Sequence, residues 1–455
     1  MTPSRLLQSC LGVVAGTVTA VGLIAGAQAE TITVWWNKGY FPAEDAALQT
    51  VIKKWEEQTG NKVNLSFYSG ADIPTKIISA ITSGQVPDIA YADINDFAIA
   101  PQQAWNGKLV DLSDIVEPLK DRYTQTALLA AHLYNNEEHK RSYYAVPLKQ
   151  QALHDFYWRP MLEAAGHKAE EIPTGWDDYW KFWQGVQDKL RDDGQRVYAM
   201  GLPVSTVDTD NYYTFNQYLL AYGGHIVNQD GSLNLDDQTR QAAIKALTFI
   251  GEAFSNGYIP KSAINWGDPD NNVAFFSKQI IMTNNASLSI PVAKFDDKQL
   301  YYHDIVTRQM PNTPDGKPMT SLVAVKVAIV PKGAPHVDLA KAFLKFFVEP
   351  KTLDSYLVAA RGRWLPVMPE LIKSDPFWTD AKDPHVPVAV KQEFEGPTQP
   401  WPMAFNPAYA QVNAEEIWGR AEGDVLVHGK SPDEAVDAAF ARIKEIFAQY
   451  QIPTQ

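Results

Sequence analysis

The chain has 455 residues, a formal net charge of −13 at neutral pH and one cysteine, Cys10. An acidic balance keeps a surface soluble and argues against nucleic acid as a partner. One cysteine allows no internal disulfide, so a chain long enough for two domains must be held by burial.

Residues 1–29 read as a secretory signal. Arg5 gives the positive start, Leu11 to Ala25 is mostly apolar, and Ala27-Gln28-Ala29 offers a small-x-small cleavage site before Glu30. The run is short and rich in Gly, Ala and Thr, against the ~18–20 apolar residues of a membrane span. Leu7-Gln8-Ser9-Cys10 has lipoprotein-like spacing, but the apolar run follows it instead of preceding it. Cleavage would remove Cys10 and export the chain, in a Gram-negative cell to the periplasm.

The next segment, Thr31 to Trp36, is predicted as a strand. A helix follows, with Pro42 near its start, Leu48, Val51, Ile52 and Trp55 on one face, and Gly60 at its end. Val63, Leu65 and Phe67 alternate as a second strand. A second helix runs from about Asp72 to Gly84, and Ile89 to Ala92 forms a third strand. This order predicts a parallel sheet covered by helices on both faces. The pattern restarts after Pro147, with strands at Ala152 to Trp158 and Val197 to Leu202 and a helix from Trp176 to Arg191. Helices over Tyr212–Tyr222 and Asp237–Ser255 and strands at Ile280–Met282 and Val323–Val330 follow. Leu339–Val348 and Pro432–Tyr450 carry apolar stripes, and the Pro-rich stretch 384–407 reads as an ordered surface loop. Two α/β units without a linker predict two apposed lobes.

In open parallel sheets, ligands bind beyond the carboxyl ends of the strands. That rule selects Trp35 to Tyr40, Tyr68-Ser69-Gly70 and Asp93 to Asp96, and within them Trp36, Asn37, Tyr40, Ser69 and Asp93. Rings and short polar groups suit a sugar, whose hydroxyls both donate and accept and whose C–H faces lie against Trp or Tyr. Trp36 can also be read as a core residue of its strand, and Asp93 as a helix cap. Trp176, Trp180 and Trp183 recur at helical spacing and read as core, as does Trp418.

Several stretches together resemble the family 1 extracellular solute-binding proteins, whose members bind maltose and other sugars. They include Thr31-Ile32-Thr33-Val34-Trp35-Trp36, Trp55-Glu56-Glu57-Gln58-Thr59-Gly60, Ser83-Gly84-Gln85-Val86-Pro87-Asp88-Ile89 and Asn106-Gly107-Lys108-Leu109-Val110-Asp111-Leu112. Tyr144-Ala145-Val146-Pro147-Leu148, Pro173-Thr174-Gly175-Trp176, Ala328-Ile329-Val330-Pro331-Lys332-Gly333 and Gly429-Lys430-Ser431-Pro432-Asp433-Glu434-Ala435 complete the match. The resemblance implies an α/β, two-lobed periplasmic-binding-protein fold (Venus flytrap, type II) with several crossings between lobes. It places lobe one at 30–148 plus 287–335 and lobe two at 149–286 plus 336–455. Crossings fall near 148–153 and 282–288, with a return around 333–341. It adds Gln151, Asp210, Tyr212, Trp266, Asn284, Arg363 and Trp364 to the cleft, while Trp401, in a Pro-rich loop, can be read either as closing over the cleft or as packing. It implies a monomer that captures a carbohydrate or polyol and delivers it to the permease of an ABC importer, without cofactor, metal or chemical step.

Other readings are weighed against this one. A carbohydrate-active enzyme would need two carboxylates at a set separation, and no metal spacing, nucleophile elbow or nucleotide-binding glycine loop appears. The same clamp can carry a sugar phosphate, polyamine or cation: converging Lys and Arg, such as Lys38 and Arg363, would favour an anion, and clustered carboxylates a cation. Asn228-Gln229-Asp230-Gly231-Ser232 lacks the full ligand set of a calcium loop and reads as a turn.

Overall fold

A computed structural model of the chain describes residues 29–206, 209–268 and 270–453. Residues 1–28, which carry nearly all of the expected secretory signal, lie outside the described residues. Among those described, no helix is long and apolar enough to cross a membrane.

The strands, in chain order, are β1 Thr31–Asn37, β2 Lys62–Tyr68, β3 Ile89–Tyr91, β4 His132–Asn135, β5 Lys140–Tyr143 and β6 Val146–Gln151. After them come β7 His154–Trp158, β8 Tyr198–Met200, β9 Ile280–Asn285, β10 Ile305–Arg308, β11 Ser321–Ile329 and β12 Thr398–Pro400. One sheet runs β12-β11-β3-β1-β2, with β6 also paired to β11; a second runs β10-β7-β9-β8; β4 and β5 form a hairpin. The two larger sheets are the cores of two lobes.

The opening of the chain folds as its pattern dictates. β1 pairs in parallel with β2 and with β3. The helices between them, Pro42–Thr59 and Ile73–Ser83, end at Gly60 and Gly84, both at φ 76°. That left-handed conformation costs glycine little. The sheet is mixed, however, because β11 runs antiparallel to both β3 and β6.

The lobe boundaries differ from those expected at several places. The first crossing is Ala152–Leu153, directly between β6 and β7. β9 does not lead back across near 282–288: β10 still pairs with β7, and the chain returns to the first sheet in 309–320. The helices Val337–Phe347 and Pro350–Ala359, expected in lobe two, pack on lobe one. Phe343 meets Trp55 at 5.3 Å and Phe347 meets Trp36 at 5.7 Å between ring centroids. Apolar helix stripes fix a helix as amphipathic but not which sheet it covers. The stretch 384–407 is not a surface loop. It contains helix Val386–Val390, a π-helical turn Lys391–Glu395 and β12, and much of it is buried.

Candidate ligand-binding cleft

The carboxyl end of β3 delivers Tyr91 and Asp93. The Tyr91 hydroxyl donates to Asp93 Oδ1 at 2.5 Å. The crossing strands supply buried polar groups: the charges of Lys149 from β6 and Lys326 from β11, and the neutral amide of Gln151 from β6. Arg363 and Trp364 come from a turn in which Arg361 and Gly362 both have positive φ, 60° and 66°. A Cβ on Gly362 would lie 2.9 Å from the Phe377 ring, so only glycine fits there. The turn aims Arg363 at Glu44, whose two carboxylate oxygens accept from its Nη1 at 2.9 and 3.1 Å; Trp364 Nε1 also donates to Glu44, at 3.1 Å.

The second lobe contributes helix Thr209–Ala221. Its Tyr213 hydroxyl accepts from Gln151 Nε2 at 2.9 Å and Lys326 Nζ at 3.0 Å. Lys326 also reaches Asp96 Oδ1 at 3.4 Å. In the first turn of the helix, Asp210 accepts from Asn271 at 3.0 Å. Aromatic rings line this junction: Trp401 stacks on Phe97 and meets Tyr213 edge-on. The Lys149 ammonium lies 4.2 Å from the Trp364 ring centroid, 5.2 Å from that of Tyr91 and 5.6 Å from that of Tyr356, whose hydroxyl is at 3.3 Å.

Cations and carboxylates interleave. Burial opposes the Asp93 charge, but Lys149, Arg363, the Tyr91 hydrogen bond and Lys326 together hold its pKa below the usual carboxylate value. Burial pushes Lys149 down to about 8 and Asp96 up to about 6. Asp210 is pushed up to about 7 by burial and the neighbouring Asp268 charge. Asp96 Oδ2 and Trp401 Nε1 are buried without a protein partner. The arrangement can hold a molecule that both donates and accepts hydrogen bonds against ring faces.

The expected residues divide. Asp93, Gln151, Arg363 and Trp364 converge, Asp210 stands beside them, and Tyr40 is an exposed ring with the Arg363 guanidinium 5.2 Å from its centroid. Asn37 turns its amide to Lys38 O, and Ser69 is exposed with its hydroxyl donating to Asp72. Trp36 is 2% exposed, stacked on Tyr91 at 4.2 Å; with Ile32 and Val34 it shares the strand face turned to the core. Asn284 is likewise spent, donating to Asp155 and accepting from Tyr218 inside the second lobe. Trp266 is buried, and Tyr212 sits one position from Tyr213, the residue that reaches the junction. Sequence reasoning missed Lys149, Lys326 and Glu44, and took in Asp96 only as the end of the selected loop Asp93 to Asp96. The signal was present in Lys326, a lone charge inside the apolar run Ser321–Ile329, since lysine is almost never buried without a partner.

A separate cavity of about 510 Å³ lies between Leu129 and Leu220. None of the charged cluster lines it, and polar groups on its wall bond one another, as Thr126 does Thr398 at 2.9 Å.

The chain matches the family described as bacterial extracellular solute-binding protein over residues 50–387. It is 23% identical over 318 residues to the arabinooligosaccharide-binding protein of Bacillus subtilis, and 22% over 306 residues to that of Halalkalibacterium halodurans. These alignments cover 68% and 66% of this chain and span 64% and 63% of the length of those relatives. Among solved structures, an ABC transporter solute-binding protein from Thermotoga lettingae bound with α-D-tagatose aligns with a TM-score of 0.74 and 18% identity, over 92% of this chain and 100% of that one. The sugar-binding protein MalE from Xanthomonas citri aligns at 0.71 with 16% identity, over 92% and 98% of the two chains. At such identities the likeness carries the fold, two lobes joined by crossing strands. The match over most of its length places the chain in the family of bacterial extracellular solute-binding proteins.

Proposed function

We propose that this chain is the exported binding protein of an ABC importer and captures an uncharged carbohydrate between its lobes. The observation that carries the reading is the junction where Asp93, Lys149, Gln151, Tyr213, Lys326 and Arg363 meet the rings of Tyr91, Trp364 and Trp401. Groups of both lobes contribute, so a guest that bonds both favours the closed state through differential affinity. The charges alternate in sign, which favours hydroxyls over a net anion or cation. The relatives' arabino-oligosaccharides belong to that class. Binding alone is the activity, with the monomer presenting its loaded lobes to a permease at the membrane.

The test is isothermal titration and thermal shift across arabino-oligosaccharides, maltose and tagatose, with a sugar phosphate, spermidine and calcium beside them. The expected result is a rise in apparent stability with at least one uncharged sugar, which is recovered intact afterwards. A shift confined to the phosphate, amine or metal, or cleavage of the glycan, would overturn the reading.

A further inference from the structure

The crossings between the lobes converge on two adjacent side chains that lie outside the candidate cleft. Gln392 and Glu393 sit in the π-helical turn Lys391–Glu395, which leads into β12. Gln392 Nε2 donates to Leu153 O at 2.7 Å, and its Oε1 accepts from Met310 N at 3.0 Å. Glu393 Oε1 accepts from Ala152 N at 3.0 Å, and its Oε2 accepts from Gln150 Nε2 at 3.0 Å. Ala152 and Leu153 are the whole link between β6 of one lobe and β7 of the other. Met310 lies at the start of the return from β10 to β11, two residues past Arg308. Every one of these residues is buried. The two side chains therefore hold the amide at the start of one crossing and the carbonyl at its end, and tie that link to a second crossing and to their own.

We propose that Gln392 and Glu393 form a latch on the crossings that sets how readily the lobes swing, and so tunes ligand affinity without touching the ligand. A rotation of one lobe must change backbone dihedrals at the links, which are the short segments able to absorb it. The latch fixes the amide of Ala152 and the carbonyl of Leu153, the two ends of one link, so this rotation strains or breaks its bonds. Each buried bond that is lost leaves a polar group unpaired, which is the cost that restrains the motion. The inference rests on the two-lobed clamp described above, and its test requires no ligand.

Spin labels on Ile78→Cys and Val427→Cys, one exposed site on each lobe, report the inter-lobe distance by pulsed electron resonance in the ligand-free protein. The parent gives a single narrow distance peak. Gln392→Leu and Glu393→Leu lose that peak for a broad or displaced distribution. Glu393→Gln retains it, because the Gln150 amide can turn to present its oxygen. Glu422→Gln, at a buried carboxyl of the second lobe away from the crossings, leaves the peak unchanged. Folded Leu variants with the parental distribution overturn the proposal, as does a Glu422→Gln variant that broadens it equally. Hydrogen exchange on the unsubstituted protein supplies a second reading, in case the Leu variants do not fold. The amides of Ala152 and Met310 exchange together and slowly; rapid exchange at either one overturns the latch. If no sugar binds but the distances behave as described, the latch stands and the carbohydrate reading falls.

Discussion

Removing the Arg363 guanidinium isolates the interaction that anchors the cleft turn. The Glu44 and Arg363 side chains are 5% and 12% exposed, with Nη1 2.9 Å from Oε1. At an effective dielectric of about 20, that separation corresponds to about 6 kcal/mol of attraction, much of it offset by the desolvation of both ions. Breaking such a pair from one side is a different matter, because the remaining charge stays buried. Arg363→Met leaves the Glu44 carboxylate to the Trp364 indole, and the expected loss is about 3–5 kcal/mol. Glu44→Gln costs less, because Asp93 still draws on the guanidinium. The double variant removes both charges and recovers part of the loss, giving a coupling energy of about 1–3 kcal/mol in a double-mutant cycle. The assay is urea unfolding at pH 7, read from midpoints at constant slope. Single variants that each cost under about 1 kcal/mol and add in the double would refute the claim that this pair is buried and mutually dependent.

Two further perturbations test the core placement of Trp36 and the buried carboxyls. Trp36→Ala should cost about 3–5 kcal/mol as a core deletion while the folded remainder binds sugar with parental affinity; a selective loss of binding with stability intact would return Trp36 to the cleft wall. Burial pushes Glu393 up to about 8 and Asp155 up to about 7. The folded state therefore holds these protons more tightly than the unfolded chain does, so this stabilisation is complete below about pH 4 and is lost as pH rises toward 8. Urea midpoints should fall between pH 5.5 and 8.5, and less steeply in Glu393→Gln; identical slopes in the two proteins would sink the assignment.

The first half of the first lobe was legible because its order is local. The strands at 31–37, 62–68 and 89–91 alternate with helices that glycines stop, and the parallel pairing follows from the order. What the residues could not settle is long-range. The stripe of Val337–Phe347 is the same whichever sheet it covers, and its destination is decided by Trp36 and Trp55 some 300 residues earlier. Of the two readings open for Trp36, burial on the Ile32 and Val34 face follows the core one, which strand alternation alone supplies. The stretch 384–407 misled through its prolines, which mark irregular backbone but not exposure; its π-turn is where the crossings are gathered.

The cleft and the latch share one physical logic. On the reading proposed above, a neutral guest brings no charge to hold the halves together, and the protein's own charges neutralise one another in pairs. Glu44 with Arg363 and Asp96 with Lys326 do this in the cleft. Tyr213 then spans the lobes by accepting from both Lys326 and Gln151. Any ligand hydroxyl that enters must exchange with bonds of this kind, hydrogen bond for hydrogen bond, and the net gain per contact is small. Affinity then depends on how far the lobes must be moved to make the contacts. That dependence is why two buried residues at the crossings, Gln392 and Glu393, bear on binding as directly as the residues that face the guest.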